Sequence, residues 1–124
     1  MIDLLLVAVG GAIGSGIRHL VNFAALRFAG PNFPWGTMAI NVVGSFGMGV
    51  FIAIMARRGG SNELRLFIAT GILGGFTTFS AFSLDFATLW GRGEALPAFG
   101  YALVSVIGAI FALFLGLWLA RTVS

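Results

Sequence analysis

Four long apolar runs, each close to the length of a bilayer crossing and separated only by short polar breaks, dictate what this chain can become. A helix needs about 20 mostly apolar residues to cross the hydrocarbon core, so four crossings occupy nearly all of the 124 residues. The charge-poor segments lie at about 4–28, 35–56, 64–89 and 98–120. Gly30-Pro31-Asn32-Phe33-Pro34 closes the first, Arg57-Arg58-Gly59-Gly60-Ser61-Asn62 the second, and Gly91-Arg92-Gly93-Glu94 with Pro97 the third. Hydrophobic residues make up 59% of the chain and charged ones 9%, which excludes an ordinary water-soluble domain. The predicted fold is an all-α integral membrane protein, a single domain over residues 1–124 with the lipid bilayer as its solvent. Met1-Ile2-Asp3 lacks the basic start of a cleaved signal, so the first run is expected to stay as a span.

The net charge of +3 comes from arginine alone among the basic residues. Most of these arginines sit at span ends, where headgroups account for them, so nucleic acid is not an expected partner. An even number of spans puts both termini on one side, together with Arg57, Arg58, Arg65 and Arg121, against Arg27 and Arg92 on the other. So weak a bias permits insertion in both orientations. Four thin helices are too few to enclose a pore, and dual insertion allows an antiparallel twofold pair, so a homodimer is expected. The absence of cysteine excludes disulfides and thiolate metal sites.

Small residues recur every four positions at Gly10 and Gly14, Gly11 and Ser15, Ser45 and Gly49, and Gly108, Ala112 and Gly116. Such stripes let backbones approach closely, and they indicate assembly rather than chemistry. The third run carries Gly74-Gly75-Phe76-Thr77-Thr78, poor helix formers in mid-membrane, which predict a break that frees backbone carbonyls, the ligands of hard cations. A kink relieved by threonine hydroxyls is the alternative. Beyond it, Phe79, Phe82 and Phe86 share one helical face, with Ser80 and Ser83 as an adjacent hydroxyl stripe. Aromatic stripes usually pack, but ring edges are electropositive and can face an anion.

Other polar residues stand out against this background. Asn41 is the one strong amide of the second run, fit either for an interhelical hydrogen bond or for donating to a passing anion. Tyr101 and Ser105 lie one turn apart and both can donate, although interface anchoring explains Tyr101 equally well. Arg18 is costly inside a span, and it serves either to make a vestibule electropositive or to cap carbonyls. His19 reads as a packing residue, and Asp85 as vestibular or paired with an arginine. There is no acid–base pair, no nucleophile beside a base and no phosphate loop, so an enzyme is not expected.

The Gly-rich first helix ending in Arg18-His19, the stretch from Trp35-Gly36-Thr37 to Asn41 and Gly44-Ser45, and Gly74-Gly75-Phe76-Thr77-Thr78-Phe79-Ser80-Ala81-Phe82 together resemble the Fluc (CrcB) family of fluoride channels. The resemblance covers all four spans. It implies an antiparallel dual-topology homodimer with two pores, in the bacterial inner membrane, that lets fluoride leave the cell passively. It implies that Asn41, Phe79 and Phe82 line the fluoride path, with Ser80 and Ser83 as a hydroxyl track and Tyr101 and Ser105 contributing from the fourth helix. It also implies a structural sodium ion, held by the backbone carbonyls of Gly74 and Thr77 from both subunits. Two departures stand out: Ala81 replaces a frequent threonine, and residues 106–120 carry no hydroxyl. A small multidrug exporter is the nearest rival, but the glutamate such proteins share in the first helix is missing. A structural membrane subunit is the third reading, and it leaves Asn41 and the Phe-Ser face without a role.

Overall fold

The computed structural model describes residues 1–123 and contains helices only among them. Helix α1 spans Ile2–Ala29 and α2 Trp35–Arg58. The third run divides into α3 (residues 62–76) and α4 (Ser80–Gly91), and the fourth forms α5 (Ala95–Val123). Four stretches, with Asn62–Gly91 counted as one, are long and apolar enough to cross a membrane.

Most helix ends run slightly past the apolar segments. Arg57 and Arg58 extend the last turn of α2, and Arg121 that of α5, because long basic side chains can leave an apolar stem in lipid and reach the headgroups. Helix α5 begins at Ala95 rather than beyond Pro97. Pro97 thus falls in the first turn, where a missing N–H costs no helical hydrogen bond. Gly93 closes the preceding helix in a left-handed conformation (φ 79°), with the Glu94 N–H reaching the Leu89 carbonyl at 3.0 Å.

Two helix pairs carry the packing: α1 lies along α3, and α2 lies along α5. Their seams are built from the small-residue stripes. A Cβ on Gly14 would strike the Ile72 carbonyl oxygen and lie 2.8 Å from the Phe76 nitrogen. One on Gly75 would lie 2.6 Å from the Gly11 oxygen. In the other pair, Gly49 abuts the backbone of Leu113, and Gly116 that of Phe46. Direct backbone contact of this kind gives dispersion attraction where lipid offers no hydrophobic drive between helices.

Residues Leu66–Leu73 of α3 are π-helical, a form that no residue pattern foretells. The wider turn carries the Phe67 and Ile72 carbonyls against Gly10 and Gly14, and only glycines on α1 make room for it. A small buried core of Leu89, Ala98 and Tyr101, flanked by Phe33, Met38, Phe82 and Phe86, ties α4 to α5 and α2.

Candidate functional site

Helical hydrogen bonding stops at Phe76 and resumes at Ser80. Thr77 is extended (φ −81°, ψ 159°), and its N–H and hydroxyl both donate to the Leu73 carbonyl at 3.0 Å. In a continuous helix the Thr78 and Ala81 N–H groups would donate to the carbonyls of Gly74 and Thr77. Here Thr78 donates to Asn41 Oδ1 at 2.9 Å, and Ala81 to the Thr78 hydroxyl oxygen at 3.2 Å. The Gly74 and Thr77 carbonyls therefore lack their helical donors. Asn41 also donates from Nδ2 to the Thr78 carbonyl at 2.9 Å, so one side chain of α2 satisfies both backbone groups of the residue at the interruption.

Arg18 supports the same segment from α1. Its Nε donates to the Gly75 carbonyl at 3.2 Å, and the Ser15 hydroxyl reaches the same oxygen at 3.4 Å. Of the two roles open to Arg18, capping a carbonyl is the one that its contact performs. A desolvated carbonyl and a guanidinium each lose less by meeting than by facing lipid alone.

A cavity of about 390 Å³ opens beside the interruption. Asn41 and Ser45 of α2, Gly74, Thr77 and Thr78, the rings of Phe79 and Phe82, and Ser105 with Val106 and Ala109 of α5 form its wall. Ser105 is 4% exposed and its hydroxyl has no hydrogen-bond partner, an arrangement that costs free energy unless a ligand or water completes it. The Phe79 and Phe82 ring centroids lie 5.6 Å apart with planes tilted by 45°, so the two rings do not stack face to face. No charged side chain enters this wall. Amide and hydroxyl donors together with ring edges can replace part of the hydration shell of a small anion without trapping it.

Ser80 and Ser83 lie outside that wall. Ser83 donates to the Phe79 carbonyl at 3.1 Å, while Ser80 is exposed, with its hydroxyl 3.4 Å from that of Thr78. Tyr101 is fully buried and donates to Asp85 Oδ2 at 3.0 Å, a pairing that spacing in the sequence does not disclose. A second cavity of about 370 Å³, walled by Asn22, Thr37, Ala81, Asp85, Thr88 and Arg92 among others, lies beyond it. Tyr101 touches a wall residue of each cavity: Asp85 of the second, and Phe82 of the first at a ring distance of 5.2 Å.

Residues 5–117 match the model of a family described as CrcB-like protein, Camphor Resistance (CrcB). The chain belongs to the CrcB-like family. Within it, the chain is 80% identical over 122 residues, 98% of each chain, to a protein of Mesorhizobium japonicum named fluoride-specific ion channel FluC. A FluC protein of Chelativorans sp. is 59% identical over 99% of each chain, and one of Agrobacterium fabrum 56% identical over 98%. With its four membrane-length helices, this CrcB-like chain is a multi-pass membrane protein.

Proposed function

We propose that the chain is a fluoride-selective channel that lets fluoride leave the cell passively, and so protects against its toxicity. It is a transporter rather than an enzyme. The observation that carries the reading is the uncharged cavity wall, shared by Asn41, Phe79, Phe82 and Ser105, whose buried hydroxyl has no partner of its own. Fluoride is small and strongly hydrated, so several moderate donors suit entry and exit better than one deep well. The names of relatives up to 80% identical over nearly the whole chain support the same substrate. Ser80, Ser83 and Tyr101 are proposed to flank this path, and Arg18 to hold its backbone in place.

The conducting unit is proposed to be an antiparallel homodimer of dual topology. Gly74, Phe79 and Ser80 are exposed around the interruption, with Phe79 at 76%. Irregular backbone at membrane depth survives only when protein or water covers it, and a second copy of the same surface supplies that cover. On this reading the third span is a broken helix in the full sense, with its break at the dimer axis.

The same dimer gives the Gly74 and Thr77 carbonyls a function. Both have lost their helical donors, and together with their symmetry mates they offer uncharged oxygen ligands to a cation. Among the described residues, no group of three His, Cys, Asp or Glu could hold a metal ion. A monovalent ion such as sodium therefore fits better than a divalent one. The ion would be structural, joining two chains without crossing the membrane.

The test is efflux from liposomes containing only this protein, with fluoride compared against chloride. Rapid fluoride efflux without a proton gradient, and little chloride efflux, is the expected result. Efflux that requires a proton gradient would favour an exporter, and silence would favour a structural subunit. The mass of the detergent-solubilised protein tests the dimer.

A further inference from the structure

The cavity beside Asn41 has more polar side chains than it has available donors, and their existing hydrogen bonds sort them. The Thr77 hydroxyl already donates to the Leu73 carbonyl. The Thr78 hydroxyl accepts the Ala81 N–H and meets Ser80. Asn41 uses one amide N–H on the Thr78 carbonyl and keeps the other. Two hydroxyls of the wall make no hydrogen bond within the described residues: Ser105 on α5 and Ser45 on α2.

Ser45 first reads as part of a packing stripe with Gly49, yet the contacts of its neighbours make that role redundant. Gly44 is the residue pressed against the Thr77 methyl and the Phe76 ring, and Gly49 is the one against Leu113. Ser45 is half-buried and lies one helical turn beyond Asn41, on the face that lines the cavity. Across from it, α5 offers nothing equivalent. One turn after Ser105 the wall residue is Ala109, and residues 106–120 contain no hydroxyl. A donor row that starts at Ser105 therefore cannot continue along α5.

We propose that Ser45 is an anion-binding residue, continuing on α2 the row of donors that α5 abandons after Ser105. This assignment rests on the fluoride reading and deepens it. The anion is held first between the remaining Asn41 N–H and Ser105, and then passes to the Ser45 hydroxyl on its way out of the cavity. No charged side chain lines the wall, so each step between donors of similar strength is shallow.

The experiment uses the full chain in liposomes and measures fluoride efflux. Ser45→Ala removes the hydroxyl without adding bulk and is compatible with the helix. It should lower efflux by about tenfold, the effect of losing one hydrogen bond to a charged group. Ser45→Thr should retain most of the parent flux. In the Ser45→Ala background, Ala109→Ser returns a hydroxyl from the opposite wall and should recover a substantial part of the loss, which a purely structural role of Ser45 would not allow. A Ser45→Ala flux within about twofold of the parent overturns the assignment, and so does a loss that neither Ser45→Thr nor Ala109→Ser recovers. A parent chain that conducts no fluoride overturns the fluoride reading itself. A conducting parent with an unaffected Ser45→Ala variant overturns only the role of Ser45.

Discussion

Asn41 grips Thr78 by both of its peptide groups, donating to the carbonyl and accepting the N–H at 2.9 Å each. The two residues lie 37 positions apart on different spans, so the amide does for the interrupted helix what the next turn would otherwise do. A carboxamide carries two N–H donors, and only one is engaged here. Structural support and donation to an anion are therefore compatible duties of one side chain.

Substitutions at Asn41 should touch both duties to different degrees. Asn41→Asp keeps an acceptor for the Thr78 N–H but loses both donors, so it should abolish fluoride efflux while the protein still assembles. Asn41→Ala abandons both backbone groups of Thr78 and should also cost about 2 kcal/mol or more of stability. Efflux measurements paired with thermal unfolding in detergent check both outcomes, and parent-level flux in Asn41→Asp would return Asn41 to a purely structural role.

Phe79 and Phe82 differ in burial and should differ in stability cost. Replacing either with Ile preserves apolar bulk but removes the electropositive ring edge, so fluoride flux should fall at least tenfold in each case. Phe82 also packs on Tyr101 at 5.2 Å, and its loss should destabilise the fold by about 1 kcal/mol. Phe79, at 76% exposed, should be nearly neutral within one chain. Equal flux in parent and variants would reduce both rings to packing.

Gly14 and Gly16 give an internal control on the α1–α3 seam. A methyl at Gly14 meets the Ile72 carbonyl, whereas one at Gly16 meets nothing within 4 Å. Gly14→Ala should destabilise by about 1–3 kcal/mol, as overpacking does. Gly16→Ala should be neutral or slightly stabilising because alanine is the better helix former. Thermal midpoints of the two purified variants decide the matter, and similar midpoints would contradict the seam described above.

The proposed sodium ion makes stability depend on the salt chosen. Exchanging sodium for a bulky organic cation at constant ionic strength should lower the thermal midpoint and shift the population toward monomer, because a ligand bound only to the assembled state stabilises it by mass action. Identical midpoints and masses in both salts would remove the ion from the account.

The spans were legible because their evidence is local: apolar length, arginine ends and glycine–proline breaks all lie within each segment. The stripes at Gly10, Gly14, Gly49 and Gly116 were legible as seams for the same reason. Partners were not. Asn41 stands out as a polar residue, but nothing near it names Thr78, and the burial of Tyr101 against Asp85 depends on how α4 leans on α5. The π-helical turn at Leu66–Leu73 is equally silent, since room for it comes from glycines some 60 positions earlier on α1. Ser45 stands at packing spacing with Gly49 and also lines the cavity, and sequence spacing alone discloses only the first of these.

The bond between Arg18 and Gly75 also bears on how the protein is made. Its two halves are separated by 57 residues, so α1 must enter the bilayer long before its acceptor exists. At translation speeds of about 5–20 residues per second, the guanidinium waits several seconds for that carbonyl to emerge. During that interval Arg18 must keep water or headgroups around it, which holds the first span shallow or loosely seated. Arrival of the third span ends that provisional state. The chain can therefore close this contact between its first and third spans only when more than half of it has been synthesised.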